Sequence, residues 1–278
     1  MLRQGEDRRI FKKLIRCLDQ RKASAKFHGE VMIEIGKFFL GTPYKVGTLE
    51  TKRAEHLVVN LRELDCVTFV ENVVALARHV KSGKKSFEGF RRLLQRVRYR
   101  QGRLQGYSSR LHYFSDWIHD NQKKGIVRDV TAEIGGRPLR KAMTFMTIHL
   151  DLYPPLKNAA NLRRMKSVER AISKRSLFFI PKKALRPLED RIHDGDLIAI
   201  TTNTEGLDVQ HVGLAARVKN RIHLLHASSK EGRVVLSKKT LYWYLMQSRA
   251  RSGIMVARIS MTHSAEGIGK KSNSRMVA

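Results

Sequence analysis

Leu64-Asp65-Cys66-Val67-Thr68-Phe69-Val70-Glu71 is the stretch that fixes the start of a helix and, with it, the fold. Asp65 is a favourable N-cap, because its carboxylate can accept a hydrogen bond from an unpaired N–H of the first turn. Apolar residues then recur at the spacing of one buried helical face: Val70, Val73, Val74 and Ala77. The pattern therefore places Cys66, one of two cysteines, at the beginning of a helix.

A histidine strand is predicted far downstream, over residues 209–218. His211 alternates there with the apolar residues Val212 and Leu214, so its side chain faces away from their side of the strand. A single cysteine and a distant histidine are the minimum parts of a thiol nucleophile and its base. For Cys66 taken alone, the competing interpretation is an inert cysteine in a core.

A partner strand over residues 222–227 is predicted to form a hairpin with it across Lys219-Asn220. His226 of this strand could bond the first imidazole and fix its tautomer, which is the role of the third member of a triad. His223 is the rival. The two lie three positions apart and point to opposite faces of a regular strand, so only one can serve.

The order of elements predicts an α+β fold. Helical patterns dominate the first two thirds, and strands follow from about residue 178. The 11 histidines include no His-x-x-x-His pair and the two cysteines are not paired, so we expect neither a zinc site nor another metal site. Cys17 falls on an apolar helical face and is interpreted as a core residue.

The chain has 278 residues and a formal net charge of +30, with 55 basic against 25 acidic residues. This charge predicts non-specific attraction to polyanions. A solvated basic surface is favoured over dedicated nucleic-acid binding, because no nucleic-acid motif is present.

We expect no transmembrane segment. The N-terminal helix is amphipathic and no signal peptide is visible, so the sequence as written predicts a cytoplasmic protein, or a periplasmic one if the true start lies upstream.

The chain resembles the NlpC-type papain-like cysteine peptidases of bacterial cell walls. The resemblance rests on the order of the Cys66 helix, the His211 strand and the His226 strand. Gly41-Thr42-Pro43-Tyr44 is similar to that superfamily's tyrosine-bearing segment, and Asp194-Gly195-Asp196-Leu197 to its turn before the histidine strand. His226-Ala227-Ser228 is similar to its third-residue segment, which favours His226 over His223.

A closer resemblance is to the N-acetylmuramoyl-L-alanine amidase-like family called domain of unknown function 1460. It rests on residues 64–71, on Ser109 to Trp117 and on Gly206 to Gly213, and it runs from about residue 36 to 258. It implies one papain-like amidase domain over residues 1–260, with a helical insertion at about 84–176 and a polar tail over 261–278.

The implied activity is cleavage of the amide between N-acetylmuramic acid and L-alanine in peptidoglycan fragments, with no cofactor. In this interpretation Cys66 attacks, His211 is the base and His226 orients it. Tyr44 is expected near the nucleophile, where it helps to hold the oxyanion.

The aromatic and polar cluster Ser109 to Trp117 is a second candidate binding region. Tyr113 and Trp117 offer flat faces to a sugar or peptide stem, and the fork of Arg110 suits a carboxylate; Ser109 is grouped with them. A packed aromatic core is an equally weighted interpretation of the two rings.

Two other functions stay open from the sequence. An NlpC-type endopeptidase that cuts the stem between D-glutamate and diaminopimelate would use the same machinery with a different pocket. A basic polyanion-binding protein with an incidental thiol would account for the charge.

Overall fold

The computed structural model describes residues 2–50, 54–83 and 85–260, with side chains from residue 5 onward. Within these residues the α-helices are α1 Leu2–Gln20, α2 His28–Phe38, α3 Cys66–Lys81, α4 Phe87–Arg98, α5 Phe114–Lys123, α6 Phe145–Ile148, α7 Ala159–Ser173 and α8 Leu241–Met246. The strands are β1 Val127–Asp129, β2 Arg137–Leu139, β3 Leu177–Pro181, β4 Leu197–Thr202, β5 Val209–Val218, β6 Arg221–Ser228, β7 Arg233–Thr240 and β8 Arg251–Ile259.

The strands form one antiparallel sheet. Its order is β2-β3-β8-β4-β5-β6-β7, and β1 also pairs with β8. The β5–β6 hairpin places Leu214 opposite Leu225. Its turn residues Lys219 and Asn220 have positive φ angles of 46° and 61°. Such angles match the right-handed twist of a two-residue hairpin.

Alternating strand residues divide the interior between the two faces of the sheet. Val212, Leu214 and Leu225 pack in the larger core with α1 to α5. Ala215 and Leu224 pack on the opposite face in a second core that includes α8. This period-2 alternation gives His211, which pairs with Ile200 of the second core, the face opposite to that of Val212.

The predicted α+β class is confirmed, with helices packed on an antiparallel sheet. The segment predicted as a helical insertion, residues 84–176, holds α4 to α7 from residue 85 onward, and it also holds β1 and β2, which join the sheet. The predicted tail, residues 261–278, lies outside the described residues. None of the helices in the described ranges has the length and apolar character for a bilayer span.

A buried ion pair anchors the segment that leads into α3. Arg98 of α4 donates from Nε to Glu71 of α3 over 2.6 Å, and both side chains are at most 2% exposed. The same guanidinium donates to the carbonyl oxygen of Val58 over 2.6 Å. The Asp7 carboxylate accepts from the N–H of Leu61 over 2.9 Å. These bonds fix the chain that enters the helix of Cys66.

We expect Arg98→Met to lower the free energy of unfolding by about 3–5 kcal/mol, because the substitution leaves the Glu71 carboxylate buried without its partner. Arg8→Met is the matched control, since the Arg8–Glu88 pair has side chains 47% and 48% exposed. In that control the free energy of unfolding should fall by less than about 1 kcal/mol. Urea unfolding measures the loss of unfolding free energy in each variant. Equal losses in the two variants would show that the buried pair does not anchor the segment.

Candidate active site

Cys66 is the first residue of α3, and the N-cap before it is complete. The Asp65 carboxylate accepts from the N–H of Thr68 over 2.7 Å, and the Thr68 hydroxyl accepts from the N–H of Asp65 over 2.9 Å. Cys66 itself is partly exposed. The backbone N–H groups of Cys66, Val67 and Val212 lie close enough to its sulfur to favour the thiolate. The sulfur therefore lies beside the residue that follows His211.

The thiol is protonated in the resting protein. Burial, followed by the negative charge of Asp65, raises the pKa of the Cys66 thiol to about 12, and the three backbone N–H groups offset this only in part. A helix start by itself favours a thiolate. Here desolvation of the charged form outweighs the N–H donors. Attack by this sulfur therefore needs a base that accepts its proton.

His211 and His226 form a hydrogen-bonded pair. Nε2 of His211 lies 2.6 Å from Nδ1 of His226, and the rings are perpendicular with centroids 4.8 Å apart. His223 points elsewhere, since its Nδ1 lies 2.8 Å from the carbonyl oxygen of Ser237. The contact to His226 occupies Nε2 of His211. It leaves Nδ1 as the nitrogen that is available to a thiol.

Both imidazoles are neutral over a wide pH range. Burial, then the charges of His226 and Arg251, lowers the pKa of His211 to about 3. Burial, then the charge of Arg251, lowers the pKa of His226 to about 4. A neutral imidazole has a lone pair for a proton, so the pair matches a protonated thiol as its base.

These depressed pKa values predict a loss of stability in acid. The unfolded chain takes up the two protons near pH 6.5, whereas the folded chain takes them up near pH 3 and 4. The contribution to stability is therefore complete above pH 6.5 and is lost as the pH falls towards 4. We expect the free energy of unfolding to fall by about 5 kcal/mol more between pH 7 and 4.5 in the parent than in His211→Asn/His226→Asn. Parallel pH profiles from urea unfolding would contradict this.

Two tyrosines complete the surroundings of the thiol and the histidines. Tyr44 pairs in a β-bridge with Leu64, two residues before Cys66. Burial, then the charges of Cys66 and Asp65, raises the pKa of Tyr44 to about 12, so its hydroxyl remains a donor. The ring of Tyr244 in α8 lies 5.4 Å from that of His226 and 6.4 Å from that of His211.

Sequence reasoning missed Tyr244 and Arg251. Arg251 lies with its guanidinium carbon 4.0 Å from the centroid of the Tyr244 ring. It also donates to the carbonyl oxygen of Tyr244. The run Leu241-Tyr242-Trp243-Tyr244 was a visible aromatic signal between two strands. Its short helix gave no long periodic pattern from which to place it.

Three residues of the Ser109–Trp117 cluster are buried with their polar atoms or ring faces in use. Trp117 is fully buried and stacks on Phe114 with centroids 4.9 Å apart. The Tyr113 hydroxyl donates to Glu169 over 2.7 Å. The Ser109 hydroxyl donates to the carbonyl oxygen of Gly106 over 2.6 Å. In this conformation these side chains pack the protein interior, and substrate contact by them stays a prediction.

Arg110 is the remaining member of the cluster. It binds Glu55 through Nε and an NH2 group over 3.1 and 2.6 Å, and Glu50 over 2.5 Å. The fork predicted for a substrate carboxylate is therefore filled by carboxylates of the chain itself. A substrate could use it only after one of these ion pairs opens.

Asp208 ties the cluster to the histidine strand. Its buried carboxylate accepts from the N–H of Ser115 in the first turn of α5 over 2.7 Å, and from the N–H of Val209 over 2.7 Å. One carboxylate thus fixes both the start of α5 and the start of β5, the strand that carries His211.

Among the described residues no group of three or more histidine, cysteine, aspartate or glutamate side chains forms a metal site.

The family model for AmiA-like proteins, described as N-acetylmuramoyl-L-alanine amidase-like, matches residues 34–254. The chain belongs to this family. Three residues of the candidate site fall in this family region: Cys66, His211 and His226.

Solved structures resemble this AmiA-like chain over most of its length. An N-acetylmuramoyl-L-alanine amidase from Bacteroides uniformis ATCC 8492 is 39% identical with a TM-score of 0.80, covering 84% of this chain and 99% of that one. A Bacteroides fragilis protein named as a xylanase is 43% identical with a TM-score of 0.76, covering 81% and 99%.

A more distant structure comes from Legionella pneumophila and belongs to the family model DUF1460. It is 23% identical with a TM-score of 0.69, covering 94% of this chain and 96% of that one, so it shares the fold. No curated protein matches the chain.

Proposed function

We propose that the chain is a cysteine-dependent amidase that cleaves the bond between N-acetylmuramic acid and L-alanine in peptidoglycan fragments. The observation that carries the proposal is the hydrogen bond between His211 and His226, with His211 on the strand whose Val212 N–H lies beside the sulfur of Cys66. Membership of the amidase-like family and the amidase from Bacteroides uniformis support the choice of bond.

In the proposed acylation step each group has one task. The sulfur of Cys66 attacks the lactyl carbonyl carbon of the muramic acid while Nδ1 of His211 takes the thiol proton. The developing oxyanion lies near the Cys66 N–H, which is unpaired at the helix start, and near the protonated hydroxyl of Tyr44. His211 then gives its proton to the L-alanine nitrogen as the C–N bond breaks, which frees the peptide.

The second half of the reaction regenerates the thiol. Water attacks the thioester carbonyl and loses a proton to Nδ1 of His211, and the sulfur leaves with that proton. His226 orients His211 throughout, because its Nδ1 accepts the Nε2–H and so fixes the tautomer in which Nδ1 carries the lone pair. The order of nucleophile, base and orienting residue along the chain supports an NlpC-type papain-like arrangement.

The name of the Bacteroides fragilis structure raises a second reaction, glycoside hydrolysis. That reaction uses two carboxyl groups that flank the scissile bond. The carboxylate next to the sulfur is Asp65, and its oxygen is committed to the N-cap of α3. A thiol, two imidazoles and two tyrosines around it favour amide chemistry.

A muropeptide digest analysed by mass spectrometry tests the proposal. We expect free disaccharide and intact stem peptide from the parent protein, and no products from Cys66→Ala. Release of L-Ala-D-Glu still attached to the sugar would establish the endopeptidase instead. Shortened glycan chains would establish a glycosidase, and no cleavage of any bond would leave polyanion binding as the function.

A further inference from the structure

A basic groove lies outside the candidate active site. It has a volume of about 700 Å³ and runs between residues 138–142, at the end of β2, and residues 173–178, where α7 ends and β3 begins. Its charged lining residues are Arg140, Lys141, Lys174 and Arg175. No acidic residue lines it in the described part of the chain.

The positive charge of this groove is not neutralised. Asp116 binds Arg175 over 2.7 Å, but the same carboxylate also binds Arg100 over 2.6 Å, so one negative charge faces two guanidinium groups. Lys141 donates to the neutral carbonyl oxygen of Thr202 over 2.6 Å. Arg140 and Lys174 are exposed and make no hydrogen bond or ion pair within the described ranges. An anion in the groove would therefore meet Arg140 and Lys174, which have no partner in the described part of the chain.

The groove lies at the β2–β3 edge of the sheet, and Lys141 links it to the end of β4. Thr202, which Lys141 binds, is the last residue of β4 and pairs with Arg251 of β8. Arg251 covers the Tyr244 ring, which contacts His211 and His226. The same lining segment continues to Thr144, whose N–H donates over 3.1 Å to the carbonyl oxygen of Gly206 in the loop before β5.

We propose that the groove binds the free carboxylates of the acidic stem peptide, so that the protein selects fragments whose stem is not amidated. This inference rests on the proposed function, in which the stem leaves from the L-alanine nitrogen and must extend away from Cys66. The stem carries several carboxylates along a short peptide, and guanidinium and ammonium groups bind carboxylates through charge-assisted hydrogen bonds.

Steady-state kinetics of Arg140→Gln/Lys174→Gln test the groove. The substrates are one muropeptide with free stem carboxylates and the same muropeptide with those carboxylates amidated. We expect the variant to raise KM about tenfold for the free form, with kcat within about twofold, and to leave the amidated form unchanged. Arg164→Gln/Lys166→Gln removes two exposed cations of α7 that do not line the groove, and it should behave like the parent.

A binding measurement separates failure of the groove from failure of the proposed function. A fluorescent stem peptide without sugar is titrated against Cys66→Ala, with and without the groove substitutions. Binding that weakens about tenfold with those substitutions supports the groove even if the parent cleaves nothing. Cleavage by the parent with unchanged peptide binding overturns the groove and leaves the function standing. Equal binding of the amidated peptide, or tighter binding of an oligonucleotide of equal charge, also overturns it.

Discussion

Cys66→Ala is expected to lower kcat for amide cleavage by at least about 10⁴-fold, because the sulfur is the atom that bonds to the acyl carbon in the proposed reaction. The fold should persist. The substitution removes one atom from a partly exposed side chain, and the N-cap bonds between Asp65 and Thr68 do not involve it. The muropeptide digest measures the loss, and thermal unfolding checks the fold.

Cys17→Ala is the matched control for this variant. Cys17 is the other free, partly exposed thiol, and it lies in α1. It should retain full activity. If Cys66→Ala kept more than about one hundredth of the parent rate, a water or another side chain would be the nucleophile, and the thiol mechanism would be wrong.

The local elements of the site could be predicted from the sequence because each has a short-range cause. Asp65 caps a helix through its own side chain, and the alternation around His211 fixes which face of the strand it occupies. The three-residue spacing of His223 and His226 put them on opposite faces. The structure shows that His226 is the one that contacts His211. The family resemblance had given the same choice.

The electrostatics of the site could not be predicted in this way. A helix start and a nearby histidine favour a thiolate, but the degree of burial decides the pKa of Cys66, and burial depends on packing by residues distant in sequence. Burial by residues distant in sequence also decides the role of the Ser109–Trp117 cluster. Its composition fits a binding surface, yet Trp117 is fully buried and Glu55 and Glu50 occupy Arg110. Tyr244 lies near the histidines only through the tertiary fold.

The positions of the positive charges in the structure say more about binding than the net charge does. The net charge of +30 alone predicts general attraction to polyanions. Part of this charge lies in the groove at the β2–β3 edge, where Arg140 and Lys174 have no ion-pair partner among the residues that the structure describes. A localised charge of this kind contributes to selection among substrates as well as to association.

His211→Ala is expected to lower kcat by about 10³- to 10⁴-fold. The thiol is protonated in the resting protein, so loss of the base removes both the acceptor of its proton and the donor to the L-alanine nitrogen. KM should change little, since the imidazole binds no part of the substrate that is distant from the reacting bond. A stopped assay at pH 7 measures both constants. A rate that rises with pH above 7 in this variant would identify the missing function as deprotonation of the thiol.

Substitutions of His226 separate orientation of the base from catalysis itself. His226→Ala should lower kcat by about 10- to 100-fold, because Nε2 of His211 loses its acceptor and the ring can rotate or change tautomer. His226→Asn should restore part of this loss, since an amide oxygen can accept the same N–H. His223→Ala is the control, because its ring contacts the carbonyl oxygen of Ser237 and not His211. A larger loss in His223→Ala than in His226→Ala would mean that the bond between the two rings does not support the base. Equal losses in His226→Ala and His226→Asn would show that His226 contributes packing alone, because only an orienting role depends on a hydrogen-bond acceptor at that position.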